Sequence, residues 1–402
     1  MIQILKKIKL LFKKHGFFRT INLIFQKLRN ITNYQPKDVF NFYEYVNFPK
    51  VESKLDNLDR IQKNIWFIPD FGIGSGGHLN IFRMIYNLEK LGIESDLVIC
   101  GQSQWINEKM AKETIANNFF PIKSNIFFVN TFDEIQNLGE YKIAFATSWQ
   151  SAYYVNAFGN SVRKAYFVQD FEPYFYPLGS SYIFAENTYK FGFEGITAGS
   201  WLSNKLSRNY DMKCMDFSFS YENHLYFKQE KKDDIKRVFF YARPPTERRG
   251  FELGIFALNE LYKNDSEIEI ILAGWDVSEY VIPFKYKSLG VVDIKDLTNI
   301  YSQCSVSLVL SFSNLSLLPL ELLASGCPVV INEGENNSWI DLDKKLMIYT
   351  PANVESIVTS ILNVLNNNLT PNWEYINKYL VDSSWEKESQ KVFNMLLKFI
   401  KD

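Results

Sequence analysis

From residue 64 onward, short uninterrupted apolar runs alternate with longer segments of helical period, and this alternation occurs twice. The first series reads IWFIP (65–69), DLVIC (96–100), NIFFV (125–129), KIAFAT (142–147), AYFVQ (165–169) and GITA (195–198). A charged stretch, KQEKKDDIKR (228–237), interrupts it. VFFYA (238–242), IEIILA (268–273), VSLVL (306–310) and PVVI (328–331) then resume the pattern. Helical segments such as FELGIFALNELYK (251–263) and PLELLAS (319–325) lie between the runs. A strand apolar along its whole length has no wet face, so it belongs in a parallel sheet covered by helices on both sides. The expected fold is α/β, with two Rossmann-like doubly wound domains facing a central cleft. The expected boundaries are 61–227 for the first domain and 228–382 for the second, with 1–60 before them and 383–402 after.

The charges divide unevenly. The 44 lysines and arginines nearly cancel the 45 acids, which argues against a protein devoted to nucleic acid. Residues 1–30 hold Lys6, Lys7, Lys9, Lys13, Lys14, Arg19, Lys27 and Arg29 and no acid, leaving 36 basic against 45 acidic residues elsewhere. Ile4, Leu5, Ile8, Leu11 and Phe12 recur at helical spacing among those lysines. The pattern predicts an amphipathic helical arm lying on an anionic membrane surface, where each basic residue contributes on the order of 1 kcal/mol. The competing reading is a helix packed on the body with a solvated lysine face. Lysines interrupt the apolar core a signal peptide would need, and no stretch reaches the length of a membrane span. A cytoplasmic protein held peripherally at the inner leaflet is expected. The four cysteines lack CxxC spacing and there are three histidines, so neither a disulfide framework nor a zinc site is expected.

Ligands of open α/β sheets bind outside the carboxyl ends of the strands. Four motifs fall there. PDFGIGSGGHLNIFRMIYNLEKLG (69–92) runs from a strand through a glycine-rich loop into a helix, and Gly72, Gly74, Gly76 and Gly77 permit close backbone approach to a ligand. A tight turn without a ligand reads equally simply. FVQDFEPYFYPLG (167–179) places Gln169, Asp170 and Glu172 among aromatic rings, which suits carbohydrate or, alternatively, a structural loop with capping acids. FYARPPTERRGFELGIFAL (240–258) brings Arg243, Arg248 and Arg249 to one strand end, where guanidinium forks suit diphosphate oxygens. Pairing with Glu247 and Glu252 is the plainer alternative. SFSNLSLLPLELLASGCPVVINEG (311–334) carries a serine-rich loop into a helix bearing Glu321, a residue able to accept two ribose hydroxyls or merely to face solvent.

The run R…RRG followed by PLELLASGCPVVI resembles the nucleotide-sugar half of retaining GT-B glycosyltransferases of family 4, and QDFEPYFYP with YARPPTERRGFELG resembles their WsaF-like rhamnosyltransferase branch. The resemblance spans about 64–395 and includes SSWEKESQKVF (383–393), similar to the tryptophan-bearing C-terminal helix that crosses back to the first domain in these enzymes. It implies that Arg243 and Arg248 hold the diphosphate, and that Glu321 binds the ribose. It implies that Asn314, Leu315, Ser316, Leu317 and Leu318 approach the diphosphate and sugar through their backbone. Gly76 and Gly77 would face the donor. Gln169 and Asp170 would lie where the family often carries a His-Asp pair near the transferred sugar. The first of the family's two glutamates falls at Ser313.

The implied reaction moves a sugar, L-rhamnose from dTDP-rhamnose, from a nucleotide-sugar donor to a bacterial surface polysaccharide or O-antigen acceptor. The acceptor is expected to be lipid-linked, and the reaction retaining and without a metal or other cofactor. Asp341 and Asp343 form an Asp-x-Asp that reads as surface polar sequence rather than a metal site. The replacement at Ser313 leaves open an inactive scaffold of a membrane glycan-assembly complex. A GT-B epimerase is disfavoured by the basic arm, and a dehydrogenase by the poor dinucleotide fingerprint.

Overall fold

The structure is a computed structural model describing residues 38–53, 55, 63–341 and 344–401. The described residues fall into two units that divide after Asn47. In the first unit a single helical turn, Val39–Phe42, is capped by Asp38, whose side chain accepts from the Asn41 N–H, and a 3-10 turn follows at Glu44–Asn47. The predicted membrane helix, with Lys6, Lys7, Lys9, Lys13 and Lys14, lies outside the described residues.

The second unit holds two parallel sheets. The first contains β1 (Asn64–Pro69), β2 (Ser95–Cys100), β3 (Ile126–Val129), β4 (Tyr141–Ala146), β5 (Ser161–Val168), β6 (Glu194–Ala198) and β7 (Cys214–Phe217), in the order β3-β2-β1-β4-β5-β6-β7. The second contains β8 (Arg237–Tyr241), β9 (Glu269–Ala273), β10 (Lys287–Gly290), β11 (Val306–Val309), β12 (Val329–Asn332) and β13 (Ile348–Thr350), in the order β10-β9-β8-β11-β12-β13. Each order reverses once, between β1 and β4 and between β8 and β11, the doubly wound switch points where ligands bind.

Burial accounts for the strands. Ile65 to Ile68 of β1 are wholly inaccessible, and Trp66 stacks on Phe145 of β4 at 4.1 Å. In β8, Val238 and Phe240 join one core cluster while Phe239 joins the other, as the two-residue period of a strand between two helical layers requires. Three strands carried no clear apolar signal: β7, β10 and β13. All three are edge strands, where only one neighbour and less cover leave the sequence freer to be polar. β5 also begins at Ser161, four residues before the apolar run, because Val162, Arg163 and Lys164 are only half buried.

The closing helix Trp385–Lys401 returns to the first sheet. Glu388 accepts from the Ser218 N–H just beyond β7 (2.6 Å), and Ser389 accepts from Asn87 on the helix Gly76–Lys90 (3.0 Å). One expectation fails here. Asp341 is buried rather than part of a polar surface, because its carboxylate accepts the N–H groups of Lys345, Leu346 and Met347 and holds the turn before β13. Leu342 and Asp343 lie outside the described residues.

Candidate functional site

The carboxyl ends of β1 and β5 meet those of β8 and β11. On the first-sheet side, Ser75 caps the helix Gly76–Lys90 through the His78 N–H. Of the four loop glycines only Gly74 uses a positive φ (85°); Gly76 and Gly77 are helical and exposed, Gly76 facing open space and Gly77 facing the Gln169 amide, which a Cβ would meet at 3.8 Å. Gln169, which follows β5, is tied to this helix at both ends of its amide. Its Nε2 donates to the Gly77 carbonyl (3.1 Å) and its Oε1 accepts from Asn80 (3.1 Å).

Asn80 passes the network onward. It accepts from Arg83, whose Nε donates to Glu222 at 2.8 Å and whose guanidinium lies 4.3 Å over the ring of Trp385. Arg83 and Tyr226 both favour the charged form of the half-buried Glu321. Burial pushes the Glu321 carboxyl up to about 7, against the opposing pull of Arg83 and Tyr226. Gln169, Gly77 and Glu321, which came from separate motifs, are thus joined through Asn80 and Arg83. The sequence reading passed over both. The available signal was three polar residues, Asn80, Arg83 and Asn87, at i, i+3 and i+7 on one buried helix face.

Asp170 bolts the two sheets together. Its Oδ1 accepts the N–H groups of Phe171 (2.8 Å) and Asn314 (2.7 Å), and its Oδ2 accepts the Ser313 hydroxyl (2.9 Å). Asn314 donates through Nδ2 to the carbonyls of Gln169 (2.9 Å) and Ala198 (2.8 Å), and its Oδ1 accepts from the indole of Trp339 (2.9 Å). Gly199 (φ 93°) lies beneath that indole, where a Cβ would come within 2.5 Å of the ring. Ser313 is fully buried, so a glutamate in its place would set a second carboxylate against Asp170.

These bonds narrow one expectation. The Asn314 N–H is occupied by Asp170, and that of Leu315 by Asn314 Oδ1 and the Asn336 carbonyl, so neither is available to a ligand. The N–H groups of Ser316, Leu317 and Leu318, at the start of the helix Leu318–Ala324, have no partner among the described residues.

The arginines converge beyond β8. Gly250 makes this possible: it turns with φ 58°, and a Cβ there would come within 2.9 Å of Phe312 and 3.0 Å of Leu310. Arg243 donates to the Tyr241 hydroxyl (2.9 Å) and Arg249 to the Ser311 hydroxyl (2.7 Å). Burial, with the charges of Arg248 and Arg243, pushes Arg249 down to about 10. The guanidinium of Arg248 lies 3.9 Å over the ring of Phe175. Its Nε is buried without a hydrogen-bond partner, and the Asp170 carboxylate stands 3.7 Å away. Pairing with Glu247 or Glu252 does not occur among the described residues; both are exposed. Arg249 is a third member of the cluster beside Arg243 and Arg248.

Glu172 completes the first-sheet side. It is buried, and its Oε2 accepts the Trp149 N–H (2.7 Å) at the start of the helix Trp149–Ala157. Burial first, then the nearby charge of Asp170, push its carboxyl up to about 8. Among the described residues, no group of three His, Cys, Asp or Glu side chains converges as metal ligands would.

Comparison with known proteins bears on this geometry. The family described as "WsaF, N-terminal domain" matches residues 106–198 and "WsaF, C-terminal domain" matches residues 236–362, together more than half of the chain. The O-antigen biosynthesis protein RfbC of Myxococcus xanthus is 28% identical over 361 residues, covering 87% of this chain and 28% of that protein. The chain therefore spans little more than a quarter of that relative. Among solved structures, S. aureus TarM in complex with fondaparinux, alpha-GlcNAc-glycerol and UDP is similar with a TM-score of 0.64 at 8% identity, covering 84% of this chain and 99% of that one. Anabaena HepE in complex with UDP and glucose is similar at 0.62 and 13%, with the same coverage. Sucrose-phosphate synthase from Thermosynechococcus elongatus gives 0.62 and 11%, again over 84% and 99%. At these identities the likeness shows the fold, two Rossmann-like domains in the GT-B arrangement.

Proposed function

The chain belongs to the WsaF family of GT-B glycosyltransferases, and from that premise we propose that it moves a sugar from a nucleotide-sugar donor to a glycan acceptor of the bacterial surface, an O-antigen or related polysaccharide. The observation that carries this reading is the buried Arg248 Nε without a hydrogen-bond partner, within a cluster of three arginines. A buried guanidinium N–H whose carboxylate neighbour, Asp170 at 3.7 Å, stands beyond hydrogen-bond distance is costly unless a closer anion completes it. A nucleoside diphosphate is such an anion. As the bond from sugar to diphosphate breaks, charge grows on the departing phosphate, and Arg243, Arg248 and Arg249 stabilise it. The N–H groups of Ser316, Leu317 and Leu318 point the same chemistry at the diphosphate.

Glu321 accepts the ribose hydroxyls, and Arg83 beside it favours the ionised carboxylate that does so. Gly76 leaves room for the donor in front of the helix, beside Gly77, whose carbonyl holds Gln169. Gln169 and Asp170 act by position: both are tied to neighbouring protein groups and hold the glycine helix and the 313–315 loop in place. The donor is dTDP-rhamnose in this reading. A 6-deoxyhexose presents one hydroxyl fewer, which suits a site with Ser313 where a family glutamate would stand. The arginine charge supports a reaction needing no metal, and retention of configuration is carried over from the family. The basic segment 1–30 holds the cleft at the anionic inner leaflet, raising the effective concentration of a lipid-linked acceptor.

The test is a thermal-shift and transfer screen of dTDP-, UDP- and GDP-sugars on the full chain. Saturation with dTDP-rhamnose at about 100 times its Kd should stabilise the fold by roughly 2.7 kcal/mol. Release of dTDP should follow when acceptor glycan is added. Binding of no nucleotide sugar would sink the reading. For the arm, deletion of residues 1–30 should abolish pelleting with anionic liposomes while sparing nucleotide binding; pelleting that survives the deletion would refute its role.

A further inference from the structure

A strip of aromatic side chains leads away from the arginine cluster across the first domain. It begins at Phe175, one face of which carries Arg248 at 3.9 Å. Tyr174 precedes it in the 3-10 turn Glu172–Phe175, and its ring meets that of buried Phe171 edge-on at 4.7 Å. Both rings remain accessible, Tyr174 at 41% and Phe175 at 38%, and Leu178 beyond them is 82% exposed. Pro173 at the start of the turn stiffens the backbone that presents them.

Lys205, from the facing helix Ser200–Tyr210, ends the strip. Its Nζ lies 4.5 Å from the centre of the Phe171 ring, 5.2 Å from that of Tyr174 and 5.9 Å from that of Trp201, and donates to the Tyr174 hydroxyl (3.3 Å). It has no ion pair among the described residues. A lysine left to itself extends into water; here ring faces hold the ammonium beside the strip, with its charge unmatched. Exposed, rigid rings stack on the apolar faces of sugars, and an unmatched ammonium at their end selects an anion.

We propose that this strip is the acceptor track, and that it takes a glycan carrying a negative charge, its sugar rings on Phe175 and Tyr174 and its anion on Lys205. The proposal rests on the glycosyltransferase reading and deepens it. The order along the strip places the acceptor's reacting end at Phe175, next to Arg248, and the anion at the Tyr174 end. That anion is either the carboxylate of an acidic sugar or the phosphate linking a glycan to its carrier.

The experiment is calorimetric titration of the full chain, first with dTDP and then, with dTDP saturating the arginines, with three probes: neutral maltotetraose, tetragalacturonate, and farnesyl-diphospho-N-acetylglucosamine. The dTDP step tests the underlying reading separately. The wild type should bind at least one anionic probe about tenfold more tightly than maltotetraose, the worth of one charge-assisted contact. The anionic probe that gains identifies the source of the charge. Lys205→Gln should erase the preference, Lys205→Arg should keep it, and Tyr174→Ala should weaken neutral and anionic probes alike. Unaltered dTDP affinity in each variant certifies the fold. Equal affinity for neutral and anionic probes in the wild type, or a preference that survives Lys205→Gln, overturns the proposal.

Discussion

The two walls of the cleft treat their polar groups in opposite ways. On the first-sheet wall, Gln169 and Asp170 have their polar atoms taken up by Gly77, Asn80, Ser313 and Asn314. On the second-sheet wall, Arg248 keeps a buried Nε without a hydrogen bond, and the N–H groups of Ser316 to Leu318 remain open. Buried polar groups are mostly satisfied; some without a partner, such as the Trp66 indole, lie in the core, whereas the Arg248 Nε lies at the strand ends beside two further guanidinium groups. The contrast marks the first-sheet groups as structural and leaves the second-sheet groups free for the donor of the proposed function.

The largest expected effect breaks the satisfied wall. Asn314→Leu strands the Gln169 and Ala198 carbonyls and the Trp339 N–H, and should cost about 3–4 kcal/mol of unfolding free energy at roughly 1 kcal/mol or more per lost partner. Urea denaturation reads it, and a loss under 1 kcal/mol would show the bolt to be ornamental. Next, Arg248→Ala should lower dTDP affinity roughly 30- to 100-fold, equal to about 2–3 kcal/mol, while costing less stability than Asn314→Leu, because it removes the 3.7 Å ion pair with Asp170 and the contact with Phe175 but no protein hydrogen bond. Calorimetry beside denaturation checks both halves. Wild-type affinity would place the diphosphate elsewhere; a large stability loss would make Arg248 a structural residue.

The smallest effect sharpens the comparison through pH. The folded Glu172 carboxyl titrates near 8, above its ordinary 4.5, so between these values the folded state holds a proton that the unfolded chain has released. The associated stability is full below about pH 4.5 and falls as pH rises toward 8, by up to about 1.4 kcal/mol per unit. Glu172→Gln keeps an acceptor for the Trp149 N–H and removes the titration. The variant should therefore gain steadily on the wild type as pH rises from about 5 to 8, with the gap closing again toward pH 5. Parallel stability curves across that range would show Glu172 to be ionised in the fold.

Much of this was legible in the chain. Apolar runs such as those at 65–69 and 306–310 read as doubly covered strands, and the motif that follows the strand at 238–242 carries Arg243 and Arg248 close together. Arg83 was hidden because a helix period cannot separate a solvated arginine from one lying on Trp385. Ser313 read as the loss of a family carboxylate, yet its hydroxyl holds Asp170, a residue 143 positions earlier.

The sequence by itself determined two doubly wound sheets and the arginines at one strand end. Period, apolarity and the positions of glycine and proline are local properties, and they act before distant segments meet. Which polar groups are consumed in joining the sheets and which stay open was decided only by the tertiary structure. Hydrogen-bond satisfaction depends on partners from other strands and loops, such as Asn314 for Asp170 and Trp339 for Asn314, and no local pattern carries that pairing.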